Sequence, residues 1–298
     1  MTFNHSELNQ LSKLAVSAAL AAGEVIQNYR LSDVAVHYKN KNTNTSTAGQ
    51  VVTEVDHRAQ AAILAILQPS CAQYNLAFLS EELPDNGERK NTPAFWSIDP
   101  MDGTLSFTQN IPGYSVSIAL VANDGTPLIG VVYDPVEQTL YQSIVGQGAF
   151  KNNQPLRIAE VNKNNPLILR TDISFQDHPW FTKTKRGLNK IASSSGFNGS
   201  EIHYRNGAVL NACTLLESPH ICYFKYPRHS NNGGSLWDYA ASACIYREAG
   251  AVATDILGEP MALNRLDSTF MNHRGIIFAA DKGLADYIMA LYQNLIIE

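Results

Sequence analysis

Leu11, Leu14, Ala18, Ala22, Val25 and Tyr29 recur at three- and four-residue intervals, which predicts an amphipathic helix over residues 6–29. A second stripe, Ala59, Ala62, Ile63 and Ile66, predicts a helix from about residue 53 to 67. It is expected to stop before Pro69, because proline lacks the N–H that a helix interior needs. Between the two, residues 39–50 (KNKNTNTSTAGQ) are polar and without period, and read as a mobile surface loop. The period then changes. LAFL at 76–79, AFWSI at 94–98, YSVSIALVA at 114–122, PLIGVVY at 127–133 and TLYQSI at 139–144 are short runs rich in β-branched and aromatic residues, the pattern of strands. Asn123-Asp124-Gly125 and Asn152-Asn153 supply the positive-φ chemistry of hairpin turns. A meandering, largely antiparallel sheet with helices packed on it is expected.

After Pro166 the pattern restarts with a strand at LILRT, helical stretches at 183–194 and 208–216, a strand at ICYF, a helix over 236–249 and a closing helix over 281–295. This predicts two closely packed lobes, 1–160 and 161–298, with a site between them.

Composition narrows the function classes. The 298 residues are 45% hydrophobic and carry a formal charge of -5, so there is no electrostatic footprint for nucleic acid or anionic lipid. The N-terminus lacks the basic and apolar regions of a signal peptide, and no apolar run reaches the ~18 residues of a membrane span. A cytoplasmic protein is expected. The four cysteines, Cys71, Cys213, Cys222 and Cys244, form no metal or disulfide spacing and read as reduced, mostly buried thiols.

The chemistry concentrates in Trp96-Ser97-Ile98-Asp99-Pro100-Met101-Asp102-Gly103-Thr104, where an apolar strand ends in two carboxylates three residues apart. Carboxylates that close repel unless a cation lies between them, and oxygen-only ligands suit Mg²⁺, Mn²⁺ or Ca²⁺. Taken alone, either aspartate is as well explained as the cap of the helix that follows. Ser80-Glu81-Glu82 adds acids at a second strand end, Trp237-Asp238 adds one at the start of an apolar helix, and Thr53-Glu54-Val55-Asp56 opens the second helix.

In this order VVTEVD, FLSEE, WSIDPMDGTLSF and WDYAASACIYREAG resemble the motifs of the inositol monophosphatase superfamily of magnesium-dependent, lithium-sensitive phosphatases, which includes 3'(2'),5'-bisphosphate nucleotidases. The resemblance runs from the first helix to the last. It implies an α+β fold, a layered αβαβα sandwich. It places Glu81, Asp99, the Met101 carbonyl, Asp102 and Asp238 on metal-ligand positions for two or three Mg²⁺. Asp56 and Thr104 fall on positions that orient and deprotonate the attacking water, with Glu82 counted beside them as support for Glu81. Gly103, Thr104 and Leu105 are implied to present amides to the phosphate. The ions would polarise the phosphate and activate water for in-line attack.

Substrate choice is less settled. Gly207 is followed by Ala208 where many inositol monophosphatases have Gly-Ser, and Ser218-Pro219-His220-Ile221 replaces a Gly-x-x-Asp. Lys225 stands where several inositol-specific members carry an acid that binds sugar hydroxyls, and a cation suits a second anionic group better. Tyr223-Phe224-Lys225-Tyr226-Pro227 resembles the Tyr-x-Arg-x-Pro of eukaryotic bisphosphate nucleotidases, whereas FTQNIPGYSVSIAL and GVVYDPVEQTLY look closer to inositol monophosphatases. Residues 228–235 match neither. Lys225 and Arg228 are therefore specificity candidates, with a solvated strand end as the alternative for both. The expectation is a phosphoric monoester hydrolase acting on a small soluble phosphate ester, most like an inositol monophosphatase. The alternatives are a bisphosphate nucleotidase converting adenosine 3',5'-bisphosphate to AMP and a non-catalytic protein- or RNA-binding role. No nucleic acid or membrane partner is expected, and a homodimer is expected by analogy alone.

Overall fold

Asn4 begins the first helix by accepting the Glu7 amide (3.0 Å), while the Glu7 carboxylate accepts the Asn4 amide (2.8 Å). This reciprocal cap satisfies two donors that a helix start leaves free. The computed structural model describes residues 3–29, 36–38, 51–204, 207–229 and 234–297. The loop expected at 39–50 lies outside the described residues, as do 230–233 of the unmatched 228–235 stretch.

In chain order the first elements are α1 (His5–Asn28), β1 (Val36–Tyr38), β2 (Val51–Thr53), α2 (Glu54–Tyr74), β3 (Leu76–Ser80), β4 (Ala94–Asp102) and α3 (Thr104–Thr108). There follow β5 (Ser115–Ala122), β6 (Pro127–Asp134), β7 (Thr139–Ile144), β8 (Gly148–Lys151), β9 (Gln154–Pro155), β10 (Leu167–Thr171), α4 (Phe181–Ser195), β11 (Ser200–Tyr204) and α5 (Ala208–Cys213). The chain ends with β12 (Ile221–Lys225), α6 (Ala240–Ala249), β13 (Val252–Thr254), β14 (Ile276–Ala279) and α7 (Lys282–Ile297).

Strands β3 to β9 form one seven-stranded sheet in sequence order, antiparallel except for the parallel pair β3–β4. Asn152 and Asn153 take positive φ (46° and 63°) at the turn between β8 and β9, as their side chains predicted. A second sheet runs β11-β10-β12-β14-β13, with β10 parallel to both neighbours. Helices α1 and α2 cover one face of the first sheet. Helices α5 and α6 fill the space between the sheets, and α4 and α7 close the far face of the second. The middle core joins Phe95 and Val132 of the first sheet to Tyr223 and Phe278 of the second through Tyr246 of α6. The layers are thus α, β, α, β, α.

Two expectations need correction. Helix α2 runs through Pro69 to Tyr74. The lost hydrogen bond is outweighed by burial of the next residue, Ser70, whose hydroxyl donates to Leu67 O (2.6 Å) and accepts from Trp96 Nε1 (3.0 Å). The stretch 236–249 is also broken: a short 3₁₀ turn, Leu236–Asp238, precedes α6. All four cysteines are free thiols, three of them buried. Among the described residues no helix is long and apolar enough to cross a membrane.

Candidate metal centre and active site

Asp99 and Asp102 would point to opposite sides of a regular strand, because they lie an odd number of positions, three, apart. The ladder shows why they do not. Asp99 pairs with Ser117 and Asp102 with Ser115, so β4 spends three residues where β5 spends two. This bulge returns Asp102 to the side that Asp99 faces. Asp238 arrives from the middle layer on the 3₁₀ turn, where Ser235 and Asp238 cap one another and the Ser235 amide donates to Asp238 Oδ2 (2.8 Å). The Ser117 hydroxyl donates to Trp237 O (3.1 Å) and ties that turn to β5 beside Asp99. One oxygen from each of Asp99, Asp102 and Asp238 lies within 4.8 Å of the others.

Three carboxylates so placed cannot all stay charged without a counter-ion. Burial, then the charges of Glu81, Asp102, Asp238 and Asp56, push the Asp99 carboxyl well above its usual range. Burial also raises Asp102 to about 7, against the pull of the Val209 and Ala208 amides, with Glu81 adding to the rise and Lys225 opposing it. Asp238 is likewise pushed up to about 7 by burial and then by Asp102. A set of hard oxygen donors held close at this electrostatic cost fits a divalent cation of the Mg²⁺ or Ca²⁺ type.

The other sequence candidates fall around this set. Glu81 stands outside the tight trio but acts on two of its members. Glu82 is nearly buried and faces His57 of α2 (3.9 Å). Met101 is buried, its amide donates to Asp99 Oδ1 (3.0 Å), and its carbonyl accepts the Thr104 hydroxyl (3.1 Å). The same hydroxyl reaches Asp56 Oδ1 at 3.4 Å, so Thr104 and Asp56, 48 positions apart, meet at the site. Gly103 takes φ 89°, and a Cβ there would lie 2.6 Å from Gly113 O. A side chain is excluded at the step that turns β4 into α3, which carries the Thr104 and Leu105 amides.

The structure adds partners that the sequence reading did not find. Asp102 does cap a helix, but not the one that follows it. Its oxygens accept the amides of Ala208 (3.1 Å) and Val209 (2.8 Å) at the start of α5. A Cβ on Gly207 would lie 2.0 Å from Asp102 Oδ2, so glycine is required for that approach. Lys225 is not a solvated strand end. Its side chain is 10% exposed, and Nζ pairs with Asp172 at 2.8 Å near the rings of Tyr223 and Tyr239. Burial alone would raise Asp172; Lys225, followed by Arg228, outweighs it and holds that carboxyl below the usual range. No pattern within the sequence joins Asp172 to Lys225. Only the parallel pairing of β10 with β12 does.

The sequence model described as "Inositol monophosphatase family" matches residues 7–296. An inositol-1-monophosphatase of Synechocystis sp. is 28% identical over 262 residues, 88% of this chain and 84% of that protein. The Nus factor SuhB of Escherichia coli (strain K12) is 31% identical over 254 residues, covering 84% and 87%. Among solved structures, the extragenic suppressor protein suhB from Bartonella henselae superposes with a TM-score of 0.72 at 22% identity, over 95% of this chain and 98% of that one. The layered fold is shared.

Proposed function

The chain belongs to the inositol monophosphatase family, whose members are phosphatases, and on that premise we propose that it is a Mg²⁺-dependent phosphomonoesterase acting on a small soluble phosphate ester. The observation that supports this most directly is the trio Asp99, Asp102 and Asp238, with ligand oxygens within 4.8 Å. In this reading Glu81, Asp99, the Met101 carbonyl, Asp102 and Asp238 hold two or three Mg²⁺. Bound there, the ions supply charge stabilisation to the phosphate and acidify water. Thr104 orients the attacking water through its hydroxyl, and Asp56 accepts the proton. Glu82 braces Glu81, and the amides of Gly103, Thr104 and Leu105 receive phosphate oxygens. The two-lobe division at 160/161 belongs to the same proposal and is supported by the sheets, which span residues 76–155 and 167–279. So do a cytoplasmic location and a homodimer.

Inositol 1-phosphate is the leading substrate class by likeness to the named relative. A bisphosphate nucleotidase is the second reading, supported by Lys225, whose positive charge is felt by Asp102 and Asp238, and by Arg228, which acts on Asp172, the partner of Lys225. A regulatory role in contact with protein or RNA draws its support from the relative named as a Nus factor. Phosphate release from inositol 1-phosphate, adenosine 3',5'-bisphosphate and fructose 1,6-bisphosphate, compared as kcat/KM, separates these readings. Activity is expected to vanish in chelator, return with Mg²⁺, and fall with added Ca²⁺ or Li⁺. Undiminished phosphate release in chelator would remove the metal reading.

Thr104→Ala is expected to lower kcat by about 10²–10⁴-fold, the usual worth of general-base assistance. Mg²⁺ binding should stay near normal, because the hydroxyl donates toward the Met101 carbonyl and Asp56 and is not itself one of the proposed ligand atoms. An unchanged kcat would show that Thr104 has no part in activating the nucleophile.

A further inference from the structure

Lys225 ends β12 with its ammonium turned inward, next to the Asp172 carboxylate. Its backbone is fixed first. Lys225 pairs with Ile276 of β14, and Gly275, at φ 63°, approaches so closely that a Cβ there would collide with the Lys225 carbonyl oxygen. The side chain runs to Asp172 Oδ2 (2.8 Å), with Nζ 5.8 Å from the centre of the Tyr223 ring and 5.9 Å from that of Tyr239. Both rings are buried, so the walls around the ammonium screen its charge poorly. Burial would lower the Lys225 pKa; Asp172, Tyr239 and Asp238 outweigh it, and the amine stays charged.

The 3₁₀ turn Leu236–Asp238 and the residue that closes it, Tyr239, join this cation to the carboxylate trio. Consecutive side chains face the two: Asp238 reaches the trio, and the Tyr239 ring lies by Lys225. Their polar ends meet again over Gly234, where a Cβ would collide with both the Tyr239 hydroxyl and Asp238 Oδ2 (2.6 Å). Glycine at φ 98° thus leaves room for phenol and carboxylate side by side. Lys225 in turn pulls Asp102 and Asp238 down against the burial that raises both. The ion pair is lopsided: the Asp172 side chain is 40% exposed, that of Lys225 10%. Water screens the negative end more than the positive one, so the pair as a whole presents positive charge to the acids. We propose that Lys225 is a built-in counter-charge of the metal centre, which steadies its acids when no ion is bound and loosens its hold on Mg²⁺. This rests on the reading of the trio as a metal centre and adds to it a residue that is not a ligand.

The test is Mg²⁺ affinity in the absence of substrate, measured at pH 8 by calorimetric titration of the full chain freed of chelator, and again from the Mg²⁺-induced rise in melting temperature. Lys225→Met removes the charge and keeps the length. It is expected to tighten Mg²⁺ about tenfold or more, because a like charge facing a divalent ion through poorly screened surroundings is lost. The metal-free variant should also melt lower than the wild type, since its acids lose their counter-charge. Asp172→Asn should act in the opposite sense and loosen Mg²⁺, by less, because its charge is better screened. Lys225→Arg, which keeps the charge, should bind Mg²⁺ as the wild type does. The double variant Lys225→Met with Asp172→Asn leaves no unpaired charge and should lie between the wild type and Lys225→Met; it carries the test if the single variant fails to fold. Wild-type affinity in both the single lysine variant and the double variant would overturn the proposal, and a raised KM for a phosphate ester beside it would assign Lys225 to the substrate. Weaker Mg²⁺ binding in both Lys225→Met and Asp172→Asn would overturn it in favour of a pair that serves the fold alone. No saturable Mg²⁺ binding in the wild type would overturn the metal-centre reading itself, and the counter-charge with it.

Discussion

Asp238→Asn is expected to lower kcat by at least about 10²-fold while the protein stays folded, because the substitution removes a charge proposed to hold the Mg²⁺ that stabilises the reacting phosphate, and little else. The amide oxygen of asparagine can still accept the Ser235 N–H that Asp238 Oδ2 accepts at 2.8 Å, so the cap before α6 survives. Asp102→Asn should cost as much activity but is a less clean variant. Asp102 accepts two amides of α5, and an asparagine has one oxygen to offer where two are used. A second measurement has the opposite sign. Asp238 lies among buried like charges, so its neutralisation should raise the melting temperature of the chelator-treated protein at pH 8 while abolishing much of the stabilisation that Mg²⁺ confers. A residue that served only the fold would lower both. Near-normal turnover in Asp238→Asn would take Asp238 out of the site.

How far the site was legible in the sequence follows from the range of the interactions involved. Asp99, Asp102 and Asp238 were readable as candidates because they sit in short motifs, at a strand end and a helix start, whose order along the chain resembles that of a known family; singly, each was as well explained as a cap. The Asn152-Asn153 turn was readable because positive φ is a preference of the residue itself. The middle layer was not. That Asp102 caps α5, 106 positions further on, depends on Gly207 bringing its backbone against the carboxylate. The partner of Lys225 depends on the parallel pairing of β10 with β12, which leaves no period in either strand. Pro69 misled for a related reason. A local rule about proline was overridden by the burial of Ser70 beneath Trp96, a contact between distant segments. The motifs therefore supplied the acids that converge in the candidate site, and tertiary packing decided what holds them.

Mg²⁺ is expected to stabilise the protein far more at pH 8 than at pH 5.5, and the sign follows from the carboxylates. In the metal-free folded chain Asp102 and Asp238 titrate near about 7, and Asp99 well above its usual range, whereas unfolded aspartate titrates near ~3.9. Between those values the folded state holds protons that the unfolded state has lost. This contribution to stability is fully present below about pH 4 and is lost as pH rises through about 7. A cation replaces those protons, so its binding strengthens over the same window. Other groups oppose the trend: burial depresses His178, His220 and His273, so each contributes stability that grows as pH rises toward the ordinary histidine value. The raw melting temperature therefore mixes both. The difference between Mg²⁺ and chelator at each pH cancels the histidines and isolates the trio, each kcal/mol shifting Tm by roughly 2–4 °C in a chain of this order of size. Asp238→Asn should flatten that difference across the window. A Mg²⁺-induced shift in Tm equal at pH 5.5 and pH 8 would mean that the cation does not meet the protons at these carboxylates, and the trio would lose its place as the metal centre.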